Sequence, residues 1–420
     1  MKAAAAQRLI APVATIVLPL VIVFWALPEP LPMWRSAAII TAWAGTSLLS
    51  VSLIFMIREP HFAALLGGLE TTYRWHHRSG IAAYLLLLCH PLALALDGWK
   101  ETPRLAWQTL APWEQSWPVW LGWASLLLLM FGLATTFAVH LSYRRWRAFH
   151  FALGLGVVMG LIHVDAVLAD SGPLLALLAI VVLALGWRFV VSDFGTLSYP
   201  YRVTHVRPLA TAMIEATLAP CAASLNASPG QFVLAAFSDG PHYQGCNEYH
   251  PFTISGIHAD GKLQVSIKAL GSCSRRIQQI EPGVLLRLQG PFGTFLNESR
   301  PARQLWIAGG IGITPFIAVL RNRRRAHPIT LIYLYKSPAD AAFLDELTAL
   351  TKDDTRFELI PNACGNGVPD FSALLEKVDH INEREIQMCG PAAMVDALIP
   401  CLLQLGVQKT SIHHESFDFR

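Results

Sequence analysis

Four histidines stand inside two long apolar stretches of the chain. "YRWHHRSGIAAYLLLLCHPLALAL" contains His76 and His90, and "RRWRAFHFALGLGVVMGLIHVDAV" contains His150 and His163. An ionisable side chain inside a membrane span costs free energy, so each histidine is a candidate functional residue. A single one could be a buried side chain with one hydrogen-bond partner. Because the same arrangement recurs on both stretches, we interpret the four together.

The spacing of these histidines predicts two metal sites. His76 and His90 are 14 residues apart, and His150 and His163 are 13 apart, which on a helix is about 20 Å in each case. Two parallel helices with histidines at matching depths form two bis-histidine sites across a bilayer, the arrangement that axial ligation of haem iron needs. We therefore predict two b-type haems, an inner one on His76 and His150 and an outer one on His90 and His163.

Two details of this assignment stay open. On an ideal helix, 13 residues turn His163 well away from the face of His150, so helix distortion or different directions of approach must compensate. His77 is also 13 residues from His90 and competes with His76 as the inner ligand. We favour His76, because 14 residues bring a helix back to within about 40° of its starting face.

The composition indicates membrane spans around these histidines. Of 420 residues, 53% are hydrophobic and only 15% are charged, whereas a soluble protein of this length has about 25% charged residues. Apolar stretches near the roughly 20 residues that cross a bilayer predict six spans, and we interpret the first as a retained span rather than a signal peptide. The predicted spans are residues 9–27, 36–56, 79–96, 118–139, 148–168 and 173–191.

The positive residues predict the orientation in the membrane. Lysines and arginines are more numerous in the N-terminus and in the 57–78 and 141–149 loops than in the opposite loops, which places the N-terminus in the cytoplasm. Six spans return the C-terminal half to the cytoplasm as well, and we expect a multi-pass inner-membrane protein. The net charge of +3 gives no indication of a nucleic-acid partner, and no obligatory protein subunit is evident.

The C-terminal half predicts two soluble domains. Residues 200–293 contain six short β-rich stretches separated by turn residues, which predict a β-barrel. Within it, a strand, Gly271 and a short helix predict an anion site, although an ordinary turn has the same pattern. Residues 303–420 alternate strands and helices. Their glycine cluster in "RQLWIAGGIGITPFIAVL" follows an apolar strand, as in dinucleotide-binding α/β domains.

The seven cysteines argue against an iron–sulfur cluster. They are scattered, without a CxxC pair or a cluster-binding pattern. All but Cys89 fall in the C-terminal half, and because cytoplasmic thiols stay reduced, we expect free thiols there.

Five ordered motifs carry a family resemblance. "HPFTIS", "GPFG", "GGIGITP", "MCGP" and the terminal "ESF" resemble, in that order, the flavin and NAD(P)H module of the ferredoxin-reductase type. Joined to six spans with paired histidines, they resemble the ferric reductase and NADPH oxidase superfamily over essentially the whole chain. "YRWHHRSG" is similar to the family's entry to the third span, in which the ligand stands four residues before the glycine, and this also favours His76.

The resemblance implies a multi-domain membrane protein. A six-helix transmembrane haem domain is expected over residues 1–195, an antiparallel β-barrel FAD domain over residues 196–298, and an α/β Rossmann-like NAD(P) domain over residues 299–420. Cys389 is expected near the nicotinamide and Phe417 on the flavin ring, and Ser274 replaces the family's frequent threonine. The cofactor-binding residues implied are His250, Pro251, Phe252, Thr253, Ile254, Ser255, Lys268, Gly271, Ser272, Ser274, Gly309, Gly310, Gly312, Thr314, Pro315, Cys389, Gly390 and Pro391.

The two kinds of cofactor predict the route of the electrons. NAD(P)H gives two electrons as a hydride and haem takes one at a time, so FAD must stand between them. The short outer loops, with no evident chelate pocket in residues 97–117, favour O2 as the outside acceptor, reduced to superoxide. Reduction of ferric or other metal chelates, and electron donation to a protein or quinone partner, are the alternatives.

NADPH is favoured over NADH by two residues that close the second strand of the nucleotide domain. Lys336 and Ser337 stand where a 2′-phosphate needs a cation and a hydroxyl. A solvated lysine after a strand explains the same pattern.

Phe417→Ala is expected to lower the KM for NAD(P)H and to slow product release. Nicotinamide must lie flat on the flavin, and an aromatic ring that covers this face in its absence gains roughly 0.5–1.5 kcal/mol by stacking. Steady-state kinetics and the flavin absorption spectrum measure both effects, with Phe419→Ala as the control. A change in Phe419→Ala alone identifies the other ring as the cap, and no change in either variant rules out a capping tail.

Overall fold

The computed structural model describes two compact units. The described residues are 10–18, 20–21, 31–137, 141, 143–168, 172–296, 303–322, 327–365, 367 and 369–416. One unit ends at Phe194 and the other begins at Gly195. The first unit is helical, and the second contains a closed β-barrel followed by a five-stranded sheet.

Long apolar helices joined by short capped helices form the first unit. The side chains of Glu59 and Thr102 accept hydrogen bonds from the backbone N–H of the third residue of each short helix, and each of these helices begins with proline. The helices are α1 (Met33–Ile54), α2 (Pro60–Leu65), α3 (Leu69–Trp99), α4 (Pro103–Leu110), α5 (Trp117–Phe137), α6 (Tyr143–Leu168) and α7 (Gly172–Gly186), which continues as a π-helix over Trp187–Asp193.

Four helices among the described residues are long and apolar enough to cross a membrane. They are α1, α3, α5 and the Arg145–Val167 part of α6. Residues 10–18 and 20–21 of the first predicted span are described and helical, and the rest of that span lies outside the described residues. The last predicted span begins as the 15-residue helix α7. The predicted apolar helical N-terminal region is confirmed, and the count of six spans stays a prediction.

The barrel contains six antiparallel strands. Their order around the barrel is β1-β2-β5-β4-β3-β6, and all six residues of β3 are buried. Closing the sheet on itself leaves no unpaired edge. The elements are β1 (Tyr199–Ala210), β2 (Met213–Pro220), β3 (Phe232–Phe237), β4 (His250–Ile257), β5 (Leu263–Lys268), α8 (Ser272–Ile277) and β6 (Leu285–Phe292).

A parallel sheet flanked by helices forms the last domain. The strand order is β11-β10-β7-β8-β9, and every residue of β7 and β10 is buried, as in sheets covered on both faces. The elements are β7 (Gln304–Gly309), α9 (Thr314–Asn322), β8 (Ile329–Tyr335), α10 (Leu344–Asp353), β9 (Phe357–Ala363), α11 (Phe371–Leu375), β10 (Glu385–Gly390), α12 (Ala392–Gln404) and β11 (Ile412–Ser416).

The connection of these strands predicts where a ligand binds. The chain runs from β7 outward through β8 to β9 and then crosses to β10 on the other side of β7. Ligands of open α/β sheets bind at the carboxyl ends of the strands where the strand order reverses, which here is between β7 and β10. The predicted fold class, apolar helices followed by a β-barrel and a parallel-sheet domain, is confirmed.

Candidate functional site

The two histidines of α3 face α1. The Nδ1 atom of His76 donates to the carbonyl oxygen of Ser52 over 3.0 Å, and Nδ1 of His90 donates to that of Ala38 over 2.9 Å. Ser52 and Ala38 are 14 residues apart on α1, as the histidines are on α3. Antiparallel packing of the two helices therefore brings one carbonyl to each imidazole.

Small residues let α1 and α3 approach between these two hydrogen bonds. A Cβ atom on Gly45 would stand 2.8 Å from Cγ of Leu87 and 3.2 Å from the carbonyl oxygen of Ala83. Ala83 is itself fully buried, midway between the two histidines. Helices in a membrane commonly approach at small residues, and this contact fixes the register in which both histidines reach their carbonyls.

The two histidines of α6 contact α5 in different ways. Nδ1 of His163 donates to the carbonyl oxygen of Pro118 over 2.7 Å. The ring of His150 stacks on that of Trp146 with 4.8 Å between ring centres, and its Nδ1 lies 3.5 Å from Oγ1 of Thr136. The two histidines, 13 residues apart, are therefore held in different ways: a backbone carbonyl holds His163, and an aromatic ring and a hydroxyl contact His150.

One pair of imidazoles has the separation that two ligands of a single metal would have. The ring centres of His76 and His150 are 6.1 Å apart, and two imidazoles that bind one metal, each nitrogen about 2 Å from it, have ring centres roughly 6 Å apart. His90 and His163 lie nearer the other ends of α3 and α6. Because three of the four histidines donate through Nδ1 to a carbonyl, Nε2 is left to bind a metal. These histidines would suit the binding of haem iron.

His77 differs from His76 in its surroundings. Its side chain is exposed, and its ring centre is 5.6 Å from that of His76. The His76 imidazole is partly buried and also lies 2.8 Å from Oγ of Ser52. These contacts favour His76 as the ligand at this end of α3, and the assignment stays a prediction.

A polar cavity lies beyond His90 on α3. Arg35 and Asp97 form an ion pair of 3.2 Å in its wall. The cavity measures about 120 Å³ and is lined by Arg35, Leu94, Asp97, Gly98, Glu101, Leu105 and Thr109. Leu94 is about one helical turn beyond His90 on α3, and His90 itself is not among the lining residues. Five of its lining residues belong to residues 97–117, and the expectation that this loop holds no chelate pocket stays a prediction.

The strand predicted to line the flavin is β4. Thr253 and Ser255, on this strand, are buried, and β4 pairs with β3 and β5. Ser274 accepts from the backbone N–H groups of Leu270 over 2.9 Å and Gly271 over 2.8 Å. The Ser274 hydroxyl thus orders the loop ahead of α8, where the sequence predicts the pyrophosphate.

A disulfide corrects the expectation that all thiols in this half are free. Cys246 and Cys273 are joined with Cα atoms 5.8 Å apart. Cys246 precedes β4, and Cys273 lies on α8 between Ser272 and Ser274, so the bond connects two segments assigned to the flavin site. The two cysteines are 27 positions apart in the sequence, and no spacing pattern reveals the pair. The free cysteines are Cys89, Cys221, Cys364, Cys389 and Cys401.

The glycine-rich loop meets the end of β10 at the predicted ligand edge. A Cβ atom on Gly312 would overlap the carbonyl oxygen of Cys389, so only glycine permits this approach. Thr314, the first residue of α9, donates to the carbonyl oxygen of Ile311 over 2.9 Å and braces the loop. Burial, together with the charge of Glu415, raises the pKa of the Cys389 thiol, which keeps it protonated.

Two further predicted groups have identified neighbours. Lys268, the last residue of β5, has its Nζ 3.6 Å from where a Cβ of Gly310 would stand, so the barrel reaches the glycine-rich loop. Ser337 donates to a carboxylate oxygen of Asp340 over 2.6 Å, and Lys336 is exposed. Phe417 and Phe419 lie outside the described residues, and the role of Phe417 stays a prediction.

Three family profiles match successive parts of the chain. The profile of the "Ferric reductase like transmembrane component" matches residues 41–161, that of the FAD-binding domain matches residues 198–284, and that of the oxidoreductase NAD-binding domain matches residues 306–399. The chain belongs to the ferric reductase and NADPH oxidase superfamily. As a member of this superfamily it is a membrane-associated, NAD(P)H-dependent flavin oxidoreductase of the ferric reductase type.

About half of this chain is similar to reductases of several kinds. NADH-cytochrome b5 reductase 1 of Aspergillus terreus is 30% identical over 202 residues, 43% of this chain and 68% of that protein. The propane 2-monooxygenase reductase component of Rhodococcus jostii is 26% identical over 51% of this chain, which spans only 62% of that relative. The FAD/NAD binding domain of nitric oxide dioxygenase from Vibrio cholerae matches with a TM-score of 0.47 and 21% identity, covering 52% of this chain and 98% of that domain.

His76→Ala is expected to lower the haem content of the purified protein, whereas His77→Ala is expected to leave it unchanged. Only His76 is braced by Ser52 and paired with His150 at 6.1 Å. A pyridine haemochrome assay, normalised to released FAD, measures the difference. Haem loss in His77→Ala alone identifies His77 as the ligand. A haem content equal to that of the unmodified protein in both variants shows that neither histidine binds haem.

Proposed function

We propose that the chain carries electrons across a membrane from NAD(P)H, by way of FAD and two b-type haems, to an acceptor on the opposite side. The observation that carries this proposal is that the rings of His76 and His150 lie 6.1 Å apart, while the Nδ1 atoms of three of the four histidines are held by carbonyls of neighbouring helices. FAD, when bound, converts the two-electron chemistry of NAD(P)H into the one-electron chemistry of haem.

The proposed roles of the histidines follow from their depth along the helices. His76 and His150 hold the inner haem, and His90 and His163 hold the outer one. The hydrogen bonds through Nδ1 fix the tautomer and the ring orientation, and they raise the basicity of the ligating nitrogen.

The soluble unit supplies the electrons in this proposal. β4 and the loop before α8 bind FAD, and the loop over Gly309–Pro315 binds the dinucleotide, with Cys389 at the nicotinamide. The N-terminus and the soluble unit are cytoplasmic, in a multi-pass protein of the inner membrane. The excess of lysine and arginine in the loops on that side supports this orientation. No nucleic-acid partner and no obligatory protein subunit take part.

The favoured acceptor is O2, which is reduced to superoxide. The cavity of about 120 Å³ lined by Leu94 and Asp97 has room for a small molecule or a partly hydrated ion. The same cavity supports metal-chelate reduction as a second candidate function. Asp97 and Glu101 line it, and carboxylate oxygens attract hard cations such as Fe³⁺.

His90→Ala and His163→Ala are expected to stop reduction of the external acceptor, while NADPH still reduces the flavin, because only the outer haem loses a ligand. Purified protein given NADPH with O2, or with ferric citrate in the absence of oxygen, identifies the acceptor. Two haems and one FAD per chain are expected in the unmodified protein. A haem count of one or none, or undiminished transfer in both variants, refutes the proposed route.

Glu101→Gln is expected to raise the KM for ferric citrate several-fold if the second candidate function holds, and to leave O2 reduction unchanged. Glu114→Gln is the matched control, because Glu114 belongs to the same loop and is not among the residues that line the cavity. Equal effects of the two variants on ferric citrate remove the cavity from the proposal.

Lys336→Ala is expected to lower kcat/KM about ten-fold for NADPH and hardly at all for NADH, because a hydrogen bond to a charged group contributes about 1.5–3 kcal/mol. The carboxylate of Asp340 near Ser337 opposes a second anion there, so Asp340→Asn should favour NADPH further. Steady-state kinetics with NADPH and with NADH test both variants. An NADH preference in the unmodified protein, or equal losses for both nucleotides, contradicts this specificity.

A further inference from the structure

A buried carboxylate joins the β-barrel to the nucleotide domain. The side chain of Glu215, on β2, is only 1% exposed. Its Oε1 accepts from Oγ of Ser255 over 2.7 Å and from Nη1 of Arg321 over 2.8 Å, and its Oε2 accepts from Nε of Arg207 over 2.8 Å. A buried charge needs such partners to offset its lost hydration, and Glu215 receives them from both domains.

Arg321 is the nucleotide-domain member of this network. Its Nε and Nη2 donate to the two carboxylate oxygens of Glu346 on α10, over 2.7 and 2.8 Å. Its Nη1 also donates to the carbonyl oxygen of Ser255 over 3.0 Å and to Oε1 of Gln264 over 3.1 Å. One planar guanidinium therefore binds both domains, with a fork that lysine cannot reproduce.

Two local backbone features lie beside this network. Gly256 follows Ser255 on β4, and a Cβ atom there would overlap Oε1 of Gln264. Phe343, at the start of α10, has a φ of 62°, which is unfavourable for a residue other than glycine. Its ring lies 5.0 Å from the guanidinium carbon of Arg321. Non-glycine residues held at positive φ concentrate at functional positions.

The network stays charged at neutral pH. Burial alone would raise the pKa of the Glu215 carboxyl, but Arg321, with Ser255 and Arg207, lowers it below its ordinary value. Burial likewise opposes the charge of Arg321, yet Glu346 and Glu215 raise its pKa.

We infer that Glu215 and Arg321 are positioning residues that set the distance between the flavin-binding strand and the dinucleotide-binding loop. Ser255, which both residues contact, is two residues from Thr253 on β4. Arg321 is on α9, which begins at Thr314 directly after the glycine-rich loop. Hydride transfer depends steeply on the approach of the two rings, and a 1 Å misplacement can cost roughly 100-fold in rate.

The inference rests on the flavin and nucleotide module of the proposed function and not on its haems. The test is Glu215→Gln in the full-length chain, purified with FAD, in stopped-flow flavin reduction by NADPH. We expect the limiting rate to fall about 10- to 100-fold, with a larger isotope effect for nicotinamide-deuterated NADPH. The KM for NADPH and the FAD content should stay within about two-fold, which a general loss of structure would not allow.

Glu346→Gln is the matched control, because it removes a carboxylate from the same guanidinium within the nucleotide domain. We expect its limiting rate to stay within about three-fold of the unmodified protein. Contacts such as the hydrogen bond of 2.8 Å from the Thr211 backbone N–H to the Ala339 carbonyl remain in both variants. If Glu215→Gln does not fold, Arg321→Lys is the decisive variant, because lysine keeps the positive charge but lacks the planar guanidinium that binds both domains. The same 10- to 100-fold fall is expected.

Three outcomes overturn the inference: an unchanged limiting rate in the decisive variant, an equal fall in Glu346→Gln, or a change confined to KM. Flavin reduction precedes any transfer to haem. An unmodified protein that reduces its flavin but not an external acceptor therefore argues against the proposed haem route alone. If the unmodified protein does not reduce its flavin at all, the module itself is wrongly assigned.

Discussion

A hydrogen bond from an imidazole Nδ1 to a carbonyl of the neighbouring helix is the interaction on which the helical unit depends. An N–H group buried among apolar side chains without a partner costs about 1–3 kcal/mol. The partners of His76 and His90 are carbonyls on α1 with the same 14-residue separation. One register of the two helices therefore satisfies both, and a small-residue contact at Gly45 lies between them.

The same hydrogen bonds define the chemistry of the histidines. A carbonyl can only accept, so the Nδ1 atom that faces it carries the proton and Nε2 is left as a metal ligand. One hydrogen bond at each of these histidines therefore fixes both the register of the helices and the nitrogen that is free to bind a metal. His150 departs from this pattern, since its ring stacks on Trp146 and its Nδ1 faces a hydroxyl.

In the soluble unit the corresponding constraint is close approach between segments from different parts of the chain. The glycine-rich loop can touch the end of β10 only because Gly312 has no side chain. The disulfide between Cys246 and Cys273 ties the approach to β4 to α8. Buried charges on Glu215 and Arg321 then hold the barrel and the nucleotide domain in one arrangement, in which every polar atom of the carboxylate has a partner.

The sequence by itself determined the class of each region and the identity of the candidate ligands. Apolar length, strand patterning and five ordered motifs are local properties, and the structure and family profiles confirm the fold class that they predict, whereas the haem sites predicted from histidine spacing stay a prediction. Only the tertiary structure decided which groups contact each other. The carbonyls of Ser52 and Ala38 belong to the backbone, which carries no residue-type signal. Cys246 pairs with Cys273, and Glu215 with Arg321, across long separations in the chain. The cavity beside Asp97 exists only where α1, α3 and α4 meet. Such contacts depend on helix register and strand order, which local patterns do not specify.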